Sequence, residues 1–215
     1  MIIENNKIAL REEVPICQDT GLAVVFIEVV QEVRLIDGDF KEAINQGVKE
    51  AYQEGHLRKS VVDDPIFERK NTKTNIPAII YTDIVLGDKI EFIVMPKGFG
   101  SGNMSTLGML KPADGAEGIV NFILETVRKA DPNPCPPTII GVGIGGTADM
   151  AMVTAKKAIA RKIGEYNKDE KYAALEKEAL KKINNLGIGP AGLGGNITAL
   201  AVQIDYLPTH IAGFP

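Results

Sequence analysis

Apolar positions along this chain follow two rhythms, and their order sets the expected architecture. Residues 22–30 (Leu-Ala-Val-Val-Phe-Ile-Glu-Val-Val) are apolar at all but one position. A run that dense reads as a strand buried on both faces, here from Gly21 to Val30. Phe40, Ala43, Ile44, Gly47, Val48, Ala51 and Tyr52 then recur at helical spacing. They predict an amphipathic helix over 40–54, with Asp37-Gly38-Asp39 as its turn and cap and Gly55 as its stop. Pro77 to Val85 and Lys89 to Met95 read as two strands joined at Gly87-Asp88, a hairpin signal. Gly115 to Ala130 reads as a helix with Ile119, Val120, Ile123, Leu124 and Val127 inward, stopped by Asp131-Pro132-Asn133-Pro134.

A strand over Thr138 to Ile144 follows, then a helix over 148–163 and a second over 168–185. Glu170, Glu176, Lys177, Lys181 and their neighbours give the second helix a solvated, charged face. Ile197 to Ile204 is the last strand, and Met1 to Val14 is short and polar with no element assigned. Strands and helices alternate only in part. The expected fold class is therefore mixed α and β (α+β), a partly antiparallel sheet flanked by helices, and not a doubly wound one.

A chain of 215 residues is long enough to bury a core as one domain or as two lobes. Its net charge of −4 argues against nucleic acid as the main partner, since phosphate binding needs clustered cations. No apolar stretch reaches membrane-spanning length, and the N-terminus lacks the pattern of a signal peptide. A cytoplasmic setting follows, in which two distant cysteines are thiols or metal ligands and not a structural disulfide.

Those two cysteines organise the candidate chemistry. Cys17 lies in Pro15-Ile16-Cys17-Gln18-Asp19-Thr20-Gly21 and Cys135 in Asn133-Pro134-Cys135-Pro136-Pro137. Each precedes a strand, in a segment stiffened by proline or bounded by glycine. The bland reading of a lone cytosolic cysteine is a small buried hydrophobe; the other is a metal ligand. Gly187-Ile188-Gly189-Pro190-Ala191-Gly192 fits a dinucleotide fingerprint by letter only, because a helix precedes it and a strand follows. The glycine runs at 141–146 and 187–195 are expected to let backbone approach a ligand or cluster closely. His56 and His210 are the histidines, and His210 sits at the end of an element in Pro208-Thr209-His210. Arg58 and Arg69 lie in a charge-dense loop. They can be solvated ion pairs or a bidentate clamp for a dicarboxylate, and residue type alone does not decide between these.

Cys17-Gln18-Asp19-Thr20-Gly21, Leu57-Arg58-Lys59-Ser60, Asp64-Pro65, Asn71-Thr72, Gly98-Phe99-Gly100-Ser101-Gly102-Asn103, Cys135-Pro136-Pro137, Ile144-Gly145-Gly146-Thr147, Gly192-Leu193-Gly194-Gly195 and Pro208-Thr209-His210 together resemble one family. It is that of the iron–sulfur class I fumarate hydratases and the related L-tartrate dehydratases. The resemblance covers nearly the whole chain and is to the alpha subunit, or the N-terminal domain of fused enzymes. It implies a 4Fe–4S cluster held by three cysteines, of which two match Cys17 and Cys135. The third follows the Pro-Thr-His segment in the family and is not present in this chain. Relative to that family the chain is expected to be one cluster-binding domain over 1–215, two-lobed as an option, and short at both ends.

The resemblance further implies that Gln18 and Asp19 line the substrate, Arg58 holds a carboxylate, Gly100 gives a backbone contact and His210 hydrogen-bonds the substrate. Asp19 and His210 are the catalytic candidates. It also implies homo-oligomers, a small dicarboxylate substrate, and a catalytic base supplied by a beta subunit or C-terminal domain. Fumarate and tartrate stay open as substrates. So does a non-catalytic interaction subunit that has lost the cluster, because Ser101-Gly102-Asn103 lacks the glutamate that many members carry there.

Overall fold

A computed structural model describes residues 2–215. The chain divides into two compact units, one ending at Phe99 and the other running from Gly100 to Pro215.

The first unit contains α1 (Ile2–Glu12), β1 (Leu22–Val30), α2 (Phe40–Glu54), β2 (Ile79–Val85) and β3 (Glu91–Lys97). The three strands form one sheet in the order β2-β1-β3, with β1 parallel to β2 and antiparallel to β3. The hairpin expected at 77–95 therefore does not form, since β1 lies between the two strands. The physical reason is burial. Val24, Val25, Phe26 and Ile27 are each at most 5% exposed, so β1 hides both faces and takes the centre. At about 1.5–3 kcal/mol for each large apolar side chain removed from water, this position outweighs a local turn signal. Ile84, Phe92 and Val94, by contrast, stay exposed on the flanking strands.

Helix α2 packs Val48 and Tyr52 against Ala23, Val25 and Ile27. Its start is fixed by Asp39, whose carboxylate accepts the Glu42 amide at 2.9 Å. The sequence reading assigned no element to Met1–Val14, yet α1 occupies most of it.

In the second unit a one-turn helix (Pro112–Asp114) leads into α3 (Gly115–Ala130), followed by β4 (Ile139–Gly145), α4 (Ala148–Ala158), α5 (Glu170–Asn184) and β5 (Ala201–Leu207). Among the described residues β4 and β5 form a two-stranded parallel sheet. The core joins Ile119, Val120, Ile123, Leu124 and Val127 of α3 to Leu175, Ala179 and Ile183 of α5 and to Val202 and Ile204 of β5. Helix α4 ends at Ala158, earlier than the 163 expected.

Two corrections concern this unit. The glycines of β4 serve packing within the fold: a Cβ on Gly141 would lie 2.2 Å from Ala155 O, and one on Gly143 2.0 Å from Ala151 O. They let α4 lie directly on the strand. Glu176, read as part of a solvated face, is 1% exposed. Its Oε1 accepts from Arg161 Nη1 (2.6 Å) and from the Ile204 amide (2.7 Å), and its Oε2 accepts the Asn167 amide at 2.9 Å. Arg161 also donates to Ile204 O and to Asp205. A buried carboxylate is tolerable only with such partners.

Candidate functional site

The residues singled out from the sequence divide between the units. Cys17, Gln18, Asp19 and Arg58 belong to the first, and Gly100, Cys135 and His210 to the second.

In the first unit the loop before β1 is braced at nearly every residue. Asn5 of α1 donates to Ile16 O at 2.8 Å. The Cys17 thiol donates to Gln18 Oε1 (3.9 Å), and its sulfur accepts the Asp19 amide at 3.4 Å. The Asp19 carboxylate accepts the Phe99 amide at 2.8 Å. Thr20, 7% exposed, donates from its hydroxyl to Arg58 O at 3.1 Å. That bond fixes the Arg58 backbone while its side chain stays exposed. Gly21 has φ +56°, and a Cβ there would sit 1.9 Å from Lys97 O, so no other residue fits the turn into β1.

Two residues that sequence reasoning did not single out as site scaffolding hold this loop from below. Tyr52 donates to Thr20 O at 2.6 Å. Burial, and after it the negative charge of Asp19, push its phenol above the usual range, against the opposing effect of an Asn75 hydrogen bond. Asn75 is fully buried; it donates to Gly21 O at 2.9 Å and accepts the amides of Ser60 and Val61 at 2.7 and 3.1 Å. Its φ is +61°, a left-handed turn conformation that asparagine tolerates.

Asp64 and Arg69 serve a turn of their own. Asp64 accepts the amides of Ile66, Phe67 and Glu68, and these bonds hold its carboxyl below the usual carboxylate range. The Arg69 guanidinium donates to Pro65 O. Of the two arginines weighed as a carboxylate clamp, Arg58 thus keeps the outward-facing side chain, while Arg69 is engaged within its loop.

In the second unit Cys135 is exposed in the middle of the loop between α3 and β4. Asn133 anchors that loop through its amide and its side chain, both donating to Ala130 O at 3.1 and 2.9 Å. His210 is exposed beyond β5, and its Nδ1 accepts the Ala212 amide at 3.2 Å. In the neutral ring the proton then sits on Nε2, which leaves a donor facing outward. Thr209 Oγ1 donates to Gly146 O (3.1 Å) and the Gly146 amide to Pro208 O (3.2 Å), tying the Pro-Thr-His turn to the end of β4.

The donor set fits an iron–sulfur group in chemical type. Both cysteines are thiols outside any disulfide, and the Cys17 sulfur accepts the Asp19 amide hydrogen. Among the described residues no group of three or more His, Cys, Asp or Glu is arranged to hold an ion. The described residues thus offer two cysteine thiols, one fewer than the three the resemblance implies. No helix among the described residues is long and apolar enough to cross a membrane.

The chain is similar to several known proteins. "Putative L(+)-tartrate dehydratase subunit alpha" of Methanocaldococcus jannaschii is 52% identical over 220 residues, covering 100% of this chain and 76% of that protein. "L(+)-tartrate dehydratase subunit alpha" of Escherichia coli strain UTI89 is 34% identical over 211 residues, covering 97% of this chain and 69% of that protein. The protein of the same name from Shigella sonnei has the same identity and coverage. A model described as fumarate hydratase (Fumerase) matches residues 1–215, and the chain belongs to that family.

Proposed function

We propose that this chain is the alpha component of a hydro-lyase that adds water to, or removes it from, a four-carbon dicarboxylate. The supporting observation is the braced loop in which the Asp19 amide meets the Cys17 sulfur and the Asp19 carboxylate is pinned by the Phe99 amide. A thiol and a carboxylate two residues apart, both fixed by backbone, suit a ligand beside a group that handles substrate. Family membership supplies the reaction class.

In this reading Cys17 and Cys135 are two thiolate ligands of a 4Fe–4S cluster, and the third comes from outside these residues. When bound, such a cluster would supply Lewis-acid chemistry toward the substrate hydroxyl. The chain's own residues do the rest. Arg58 receives a substrate carboxylate with its exposed guanidinium, as a bidentate donor. Gln18 and the Gly100 backbone orient the same dianion. His210 donates from Nε2 to a substrate oxygen. Asp19, held by Phe99, keeps a carboxylate at fixed position to accept or return a proton. The base at the adjacent carbon comes from a beta-type subunit, consistent with relatives named as alpha subunits. Homo-oligomers and a cytoplasmic setting, where thiols stay reduced, belong to the same proposal.

The relatives' names favour L-tartrate as substrate, while the family description keeps fumarate in play. Anaerobic iron–sulfide reconstitution of the chain with its beta partner, followed by iron counting and assays on both acids, tests the proposal. Cys17→Ser and Cys135→Ser should each lose the cluster. Full iron loading in either variant, or no turnover of either acid by the loaded complex, overturns it. A cluster-free but stable complex would favour an interaction subunit.

A further inference from the structure

The segment Asp131–Pro134, which delivers Cys135, is approached closely by two glycines. A Cβ on Gly100 would lie 2.8 Å from Asn133 O and 3.9 Å from Cys135 N. A Cβ on Gly192 would lie 3.0 Å from Pro132 Cβ and 3.6 Å from Asp131 Oδ1, and Gly192 itself has φ +71°. Contacts this close transmit any displacement, because the struck atoms are backbone or the rigid proline ring.

The loop that carries Gly192 is itself fixed. The Gly194 amide donates to Ile188 O at 2.8 Å, and the Gly189 amide to Thr198 Oγ1 at 3.1 Å. Asn184, at the end of α5, accepts the amides of Thr198 and Ala199 at 2.8 and 3.0 Å. The loop is thus anchored to a helix whose inner face lies in the core.

We propose that Gly192, together with Gly100, is a positioning residue for Cys135: the two close approaches fix the segment that aims the thiol. The idea rests on the reading of Cys135 as a ligand only for its purpose, since the geometry holds for the metal-free chain. It also gives the glycine-rich stretch 187–195 a role that involves no nucleotide.

The test compares iodoacetamide labelling of Cys135 and Cys17 in the metal-free full chain, read as a ratio of rates by peptide mass spectrometry. In Gly192→Ala the Cys135:Cys17 ratio should rise about threefold or more, since labelling follows thiolate character and access. Gly194→Ala is the control. Its φ of +82° carries the same strain, but the nearest atom to a Cβ there is Gly187 O at 4.0 Å. It should leave the ratio at the wild-type value. Pro132→Gly alone loosens the segment and sets its own baseline; adding Gly192→Ala to it, with the struck Cβ gone, should raise the ratio no further, a comparison that also serves if the single Gly192 variant does not fold. An unchanged ratio in Gly192→Ala, an equal rise in Gly194→Ala, or a further rise of the same size in the double variant overturns the proposal. Iron counting is not involved, so failure here is separate from failure of the cluster reading.

Discussion

The Asp19 carboxylate accepts the backbone amide of Phe99 at 2.8 Å, although eighty positions separate them in the chain. A side chain offered as chemistry is therefore also structure, and the two roles can be separated. Asp19→Asn keeps an oxygen acceptor for the Phe99 amide and should hold stability within about 0.5 kcal/mol, while Asp19→Ala should cost about 1 kcal/mol in urea denaturation. Dehydratase activity of the loaded complex should fall about a hundredfold or more in both, because an amide cannot carry the proton. Activity retained in Asp19→Asn would restrict the residue to holding the loop.

Tyr52 gives a pH signature. Its phenol is raised above the unfolded value of about 10, so the folded state holds the proton more tightly. The resulting stability is present below that unfolded value and is lost as pH rises through the folded one. Wild-type protein should weaken in the alkaline range, and Tyr52→Phe should show a flatter profile there. At neutral pH the same variant should lose about 1–2 kcal/mol, because Thr20 O loses its buried donor. Chemical denaturation at a series of pH values measures both.

Glu176 should be among the most sensitive positions for stability. Its side chain has 0% exposure and that of Arg161 17%, and they meet at 2.6 Å. Glu176→Ala takes from Arg161 one of its two carboxylate partners, leaves the amides of Ile204 and Asn167 without their acceptor, and should cost about 3–5 kcal/mol. Glu176→Gln keeps an acceptor for the Ile204 amide and should cost less. Equal, small losses in thermal unfolding of both variants would contradict this account.

Much of this was legible in advance, for identifiable reasons. The helices over 40–54 and 115–130 were readable because their apolar stripes are regular, and Asp39 was readable as a cap. The Cys17 and Cys135 segments stood out because each carries its own local punctuation before a strand. Strand pairing did not, because Gly87-Asp88 advertises a turn but says nothing about which strand lies between its neighbours. Glu176 was missed because it lies among charges. Yet it falls four residues after Tyr172 and three before Ala179, on the helical stripe that the core uses. Asn75 was hidden in a polar loop, where its burial depends on contacts with Gly21 and Ser60 that are remote in sequence.

The polar cluster around Ile204 has a further effect. Strand β5 pairs with β4 on one side, which leaves its other side bare of backbone partners among the described residues. There the Ile204 amide is taken by Glu176, and its carbonyl by Arg161 and Asn167. Three side chains thus stand in for a missing neighbour strand. An uncovered row of amides and carbonyls is a template for recruiting another polypeptide. Here that template is interrupted at Ile204, in the middle of the strand, so the same ion pair that steadies the fold also breaks the row against which another strand would pair.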